Sequence, residues 1–143
     1  MPYQFLPDMV TADVAFKAWG ATLEEMFASA ARATMNVMVE NLSAIASETT
    51  QPIELAAETI ENLLFDFLQE LVFYKDAKQL LLLPEDIQIK KDNNRYFLKA
   101  FLKGEMLKTH KHHLNVDVKA VTMHLFSVSQ MEGGWEAMVV LDI

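Results

Sequence analysis

Cysteine is absent from the 143 residues, and glycine and proline occur only four times each. Without thiols the chain can form no disulfide, no zinc ribbon and no cysteine nucleophile, which suits a reducing compartment. With so little glycine and proline there is no low-complexity linker at which to divide it, so one domain over 1–143 is expected. Long apolar runs are missing too. The longest, Leu80–Leu83 and Leu63–Phe65, fall far below the roughly 20 residues that cross a bilayer, so no membrane partner is expected. The opening MPYQFLPD has neither the basic leader nor the apolar stretch of a secretory signal, which points to the cytoplasm. Cations are scarce, with 12 Lys and Arg against 20 Asp and Glu and a formal charge of −8. Binding to a phosphate backbone relies on clustered Lys and Arg, so strong direct nucleic-acid binding is not expected. An acidic domain is better suited to docking on a basic protein.

Catalytic signatures are missing as well. There is no G-x-S-x-G elbow, no P-loop and no G-x-G-x-x-G, and Gly133-Gly134 alone is a hairpin signal. The remainder is the makings of a core. Hydrophobic residues make up 52% and charged residues 22%, a globular composition large enough to bury one sizeable interior.

Periodicity places the elements. Residues 3–6 and 13–19 alternate as strands, the second closed by Gly20. Thr22-Leu23-Glu24-Glu25 is a capping-box sequence, and Leu23, Phe27, Ala30, Thr34 and Met38 continue at helical spacing, predicting a helix near 22–40. A short strand near 53–56 precedes a second helix, whose stripe is Ile60, Leu63, Leu64, Phe67, Leu68 and Leu71. Beyond residue 78 the period becomes that of strands. Asp92-Asn93-Asn94 is a turn, Tyr96–Lys103 a returning strand, and strands near 116–131 and 135–142 flank Glu132-Gly133-Gly134. The stretch Gly104–Asn115 reads as a long polar loop. The order β-β-α-β-α-β-β-β-β predicts an α+β domain, an antiparallel-rich mixed sheet system packed with two helices.

Candidate site residues lie at the two ends. Asp13 leads into a strand, while Asp142 and Ile143 finish another. If those strand ends are neighbours, two side-chain carboxylates and the terminal carboxylate of Ile143 share a small space, and a hard cation would relieve their repulsion. Oxygen donors without soft ligands suit Ca2+ first and Mg2+ second. The plainer account makes Asp13 a strand start and Asp142 a solvated edge residue. His110, His112 and His113 have no neighbouring carboxylate in the local sequence and read as a solvated loop rather than a metal cluster. His124 sits in a strand pattern with Phe126 and Val128, as a buried neutral histidine or a contact to a partner. Trp19, Trp135, Tyr96 and Phe101 are expected in the core rather than stacked on bases.

Several fragments in order carry a resemblance across nearly the whole chain. They are Thr11-Ala12-Asp13-Val14-Ala15-Phe16, Ala18-Trp19-Gly20-Ala21-Thr22-Leu23-Glu24-Glu25, Phe67-Leu68-Gln69-Glu70-Leu71, Val118-Lys119-Ala120-Val121-Thr122-Met123-His124 and the ending Val140-Leu141-Asp142-Ile143. Together they resemble the archease family, small proteins found beside tRNA-processing machinery. The resemblance implies an accessory protein that activates a GTP-dependent tRNA-splicing RNA ligase, promoting its guanylation and multiple turnover, and is not itself an enzyme. It also implies a metal site, usually calcium, on Asp13, Asp142 and Ile143. One departure stands out: Met9 and Val10 occupy positions that hold an acidic residue and a histidine in many members, which leaves any role of that histidine without a carrier. The competing expectation is a metal-dependent phosphoester or nucleotide hydrolase that uses Asp13 and Asp142, with His124 as acid or base.

Overall fold

The computed structural model describes residues 2–10 and 12–143. Its elements follow the expected order: β1 (Tyr3–Phe5), β2 (Val14–Gly20), α1 (Leu23–Met38), β3 (Thr49–Ala57), α2 (Ile60–Lys78), β4 (Leu80–Asp92), β5 (Arg95–Met106), β6 (Ala120–Met131) and β7 (Gly134–Asp142). The strands form two sheets, ordered β1-β2-β7-β6 and β3-β5-β4. Every strand pair is antiparallel, so the sheet system is not mixed. The helices do not cover one face but form the middle layer. α1 packs on β2 and β7 of the first sheet and on β4 of the second, and α2 packs on β6 as well as β3, β4 and β5. Each sheet thus buries one face against the helices and turns the other outward.

Local chemistry accounts for the boundaries. Thr22 accepts a hydrogen bond from the Glu25 amide at 3.1 Å, and Glu25 accepts one from the Ala21 amide at 2.8 Å. The glutamate therefore reaches back one residue beyond the N-cap, a variant of the capping box. Thr59 caps α2 in the same way through the Asn62 amide at 3.1 Å. Lys75 and Lys78 occupy the last turn of α2, where cations complement the helix dipole. Asn93 and Asn94 take positive φ values of 50° and 65°, as a tight hairpin between β4 and β5 requires. Pro52 and Pro84 fall on the edge strands β3 and β4, where a missing donor is tolerated.

The core lies in the middle layer. Phe16, Phe27, Phe67, Met26, Met35, Leu64 and Leu68 are fully buried, and the rings of Phe27 and Phe67 join the two helices at 5.9 Å.

The long loop expected over Gly104–Asn115 begins later than its polarity suggests, because Gly104, Glu105 and Met106 complete β5. Gly104 pairs with Thr49 on one side and Leu82 on the other, and a Cβ there would stand 1.7 Å from the Leu81 carbonyl oxygen. Glycine at this position permits close approach of β4 to the central strand and is not a loop signal. Gly104→Ala is accordingly expected to lower stability by about 3 kcal/mol, read as a shift of the urea midpoint.

The segment after β5 is strapped to the end of α1. The carbonyls of Val37 and Met38 accept hydrogen bonds from the amides of Val116 and Asn115 at 3.1 and 2.9 Å, and the Glu40 amide donates to the His113 carbonyl at 2.9 Å. Helix carbonyls that lack an intrahelical partner are thereby satisfied. Among the described residues no helix is long and apolar enough to cross a membrane.

Candidate functional site

β2 and β7 run side by side from Val14 opposite Leu141 to Gly20 opposite Trp135. Asp13, in the bend just before β2, and Asp142, the last residue of β7, are the next residues beyond the Val14–Leu141 pair. The first long strand and the last are therefore neighbours. Residues directly opposed in an antiparallel pair project from one face of the sheet. Phe16, Ala18, Val139 and Leu141 face the core, so the alternate position occupied by Asp142 at the end of β7 belongs to the opposite face. Both aspartates are half-buried. Ile143 is half-buried and packs on the core. On the other side of β7, Ala120 is opposite Asp142, and the Lys119 amide donates to the Asp142 carbonyl at 2.8 Å. Neither Asp13 nor Asp142 forms an ion pair with a described residue.

The donor set is one of hard oxygens. Among the described residues no three His, Cys, Asp or Glu side chains gather as a metal cluster, so a cation here would draw on two carboxylates, main-chain oxygen and water. That combination fits calcium or magnesium and lacks the nitrogen or sulfur ligands zinc prefers. Thr11, the first residue of the Thr11-Ala12-Asp13 motif, lies outside the described residues. Asp8 and Met9 are exposed in the turn before it.

Two expectations about histidine are corrected. His124 is exposed rather than buried. It belongs to a bulge in which Met123–Phe126 stand opposite Val139 alone, between the pairs Thr122–Val140 and Ser127–Met138. Within the bulge Leu125 adopts φ 55°, a conformation costly for a bulky side chain. Strand period fails as a guide to burial where four residues replace one. Phe126 alone turns back, meeting Phe65 of α2 edge to face at 5.8 Å.

The second correction concerns the supposed solvated histidine loop. His110 and His113 are exposed, whereas His112 is buried. Its Nδ1 accepts from the Lys108 amide at 3.0 Å and its Nε2 lies 3.0 Å from Glu105 Oε2. An Nδ1 that accepts leaves the proton on Nε2, so neutral His112 donates to Glu105. Glu105 is fully buried and also accepts from the Ala46 amide at 2.7 Å and from Lys111 at 2.7 Å, with Lys108 at 3.3 Å. The Ala46 amide, and next Lys111, hold its carboxyl well below the ordinary glutamate range, against the opposing effect of burial. The carboxylate partner that the histidines lack in local sequence is therefore Glu105, hidden when β5 is ended at Lys103. Glu105 and His112, seven residues apart with Lys108 and Lys111 between them, are the available signal.

A second pin holds the far end of the same loop. Lys75 is buried beneath it and donates to Asp117 at 2.6 Å and to the Val118 carbonyl at 2.8 Å, with Asp76 also paired. Burial alone would depress this ammonium, but the hydrogen bonds it donates to Asp117 and Asp76 outweigh that and raise its pKa above the usual lysine value. Between the two pins the chain is delivered to Ala120, opposite Asp142. The Val121 amide then donates to Gln69 of α2 at 2.5 Å, occupying a donor at the edge of the sheet.

The aromatic expectations divide. Trp135 and Tyr96 are half-buried against the core, but Trp19 is 37% and Phe101 49% exposed.

Comparison with known proteins gives a consistent result. The chain matches the Archease protein family (MTH1598/TM1083) over residues 3–143. It is 32% identical to Protein archease of Methanosarcina mazei over 142 residues, covering 99% of this chain and 95% of that one. With Protein archease of Pyrococcus abyssi it shares 34% identity over 134 residues, covering 93% and 94%. The solution structure of Methanobacterium thermoautotrophicum Protein 1598 is similar at a TM-score of 0.86 with 32% identity, covering 99% of each chain. The crystal structure of an archease from Thermotoga maritima, described as a possible chaperone, has a TM-score of 0.58 at 23% identity, with 96% of each chain covered. The last of these bears on fold alone.

Proposed function

Since the chain belongs to the archease family, we propose that it is an accessory protein of the cytoplasm that activates a GTP-dependent tRNA-splicing RNA ligase, promoting guanylation and multiple turnover. A divalent cation, Ca2+ before Mg2+, is held by Asp13, Asp142 and main-chain oxygen of Ile143. The observation that supports the reading is the β2–β7 register, whose last pair, Val14 with Leu141, leaves Asp13 and Asp142 as the next residues along the two chains. Both carboxylates lack a described cationic partner, and a hard cation supplies the missing positive charge. The surrounding chain is fixed rather than frayed: β6 pairs with β7 up to Asp142, and the loop before it is pinned by Glu105 and Lys75.

Activation requires differential affinity. The protein must bind the guanylation-competent ligase more tightly than the resting one, because equal affinity for both shifts nothing. The acidic surface supplies the encounter with a basic partner. Hydrolysis by the chain itself fits less well. His124, the acid or base of that alternative, lies exposed in the β6 bulge, and the register sets Ala120 opposite Asp142 instead.

Guanylation of the ligase from the same source, followed with and without this chain, tests the proposal. Stimulation that chelation removes and calcium or magnesium restores is the expected result. Stimulation indifferent to chelation discards the cation, and no stimulation in any condition discards the accessory role.

A further inference from the structure

The outer face of the second sheet is left uncovered by both helices, and its central strand carries an alternation of rings and cations. Along β5, Leu98, Ala100 and Leu102 turn inward and are buried. Phe97, Lys99, Phe101 and Lys103 consequently share the opposite face. Phe97 is 42% and Phe101 49% exposed, although a solvated sheet face ordinarily carries polar residues. The same region gathers the chain's cations. Five of the 12 Lys and Arg residues fall between 90 and 103, where Asp92 is the single acid. Across the register, Glu54 faces Lys99 at 3.6 Å and Glu85 lies 3.6 Å from Lys103. These pairs are solvent-exposed and weak, so both ammonium groups are available to another anion. Beside Phe101 a cleft of about 340 Å³ opens between β3 and β4, bordered by Pro52, Gln88 and Lys99 and by the carboxylates of Glu54 and Asp86.

Aromatic rings standing free on a sheet, interleaved with lysines, match the needs of unpaired bases on a charged backbone. Each base offers a face to stack and each linkage a phosphate to neutralise. We propose that this face binds single-stranded nucleic acid, with Phe97 and Phe101 stacking bases and Lys99 and Lys103 meeting phosphates. The formal charge of −8 opposes the approach of any polyanion, so the contact is weak and salt-sensitive, in keeping with the expectation that strong binding is absent. The proposal stands apart from ligase activation and is tested on the isolated chain.

Fluorescence anisotropy of a short labelled oligoadenylate, as RNA and as DNA, titrated with the whole protein at low salt, is the experiment. Saturable binding of either strand is expected. Phe97→Ala and Phe101→Ala should each weaken it about tenfold, while Phe101→Trp preserves it. Lys99→Ala should reduce the salt dependence by about 0.7 in log–log slope. All four positions are on the surface, and unchanged melting temperatures establish that the variants fold. Absence of binding at millimolar protein overturns the proposal, as does binding that the double variant Phe97→Ala/Phe101→Ala leaves intact. Sedimentation supplies the remaining arm: self-association that Phe101→Ala dissolves, without any oligonucleotide binding, would make the face a protein interface and reject the nucleic-acid reading.

Discussion

Asp142→Asn is expected to abolish stimulation of the ligase while leaving the fold of the protein intact, and Asp13→Asn should do the same. The separation of the two effects follows from placement. Neither side chain forms an ion pair with a described residue, and both are half-buried rather than part of the core. Removing one charge from the pair eases repulsion in the cation-free protein, so its stability should change by no more than about 0.5 kcal/mol. The functional loss is much larger. A coupling free energy of ordinary size, about 1–3 kcal/mol, corresponds to about 5–150-fold in the response of the partner, and either substitution should erase it. A second measurement separates cation binding from contact with the ligase. Calcium at 100 times its dissociation constant should stabilise the native protein by about 2.7 kcal/mol, seen as a rise in melting temperature that both variants lack. Normal multiple turnover with either variant would count decisively against the proposed function.

How these residues come together could be read only in part from the sequence. The order of elements was legible throughout, because α1 and α2 carry long apolar stripes behind threonine caps and the strands alternate between turn residues. That the first and last long strands are neighbours was not legible. Periodicity reports which face of a strand is apolar and says nothing of which strand lies beside it. Strand ends and the family resemblance both suggested the association of Asp13 with Asp142, while the neighbouring of β2 and β7 is seen only in the fold. The layering was equally hidden, since a helix buried on two sides and one buried on one side differ only in the width of the stripe.

The misread residues share one cause: local pattern was applied where a tertiary contact decides. His124 follows the period of its strand in sequence, but a four-residue bulge breaks that period in space. Phe101 has the spacing of a core aromatic and stands on the exposed face, because its neighbours Ala100 and Leu102 take the inward positions. Gly104 resembles the opening of a loop and is instead a point where the Leu81 carbonyl of β4 leaves no room for a Cβ. His112 looks solvated among lysines until Glu105 is placed inside the molecule. Each case turns on a partner remote in space from what the local sequence displays.

The buried carboxylate of Glu105 yields the second large effect, this time on stability. Replacing it with alanine strips the partner from the buried His112 Nε2–H and from the Ala46 amide, and leaves Lys111 beside a cavity without its counter-charge. Breaking such a network by removing one member is far costlier than its net contribution suggests. A fall in melting temperature on the order of 10 °C is expected for Glu105→Ala. Glu105→Gln keeps the shape but turns an amide donor toward groups that are themselves donors, and should fall nearly as far. The pH dependence carries a definite sign. The folded Glu105 carboxyl sits below its unfolded value of about 4.3, so its stabilisation is complete above that value and is lost as the pH falls below it. Melting curves of the wild-type protein should therefore decline through the acid range, and those of Glu105→Gln should decline less steeply. Hydrogen exchange locates the damage. The amides of Glu40, Asn115 and Val116, which bond the loop to the end of α1, should exchange faster in the variant, while those of β3 and the central part of α2 keep their protection. Because the same loop delivers the chain to Ala120 opposite Asp142, the variant should also weaken calcium binding without touching a single oxygen of the proposed site; unchanged exchange at those three amides would detach the Glu105 network from the loop altogether.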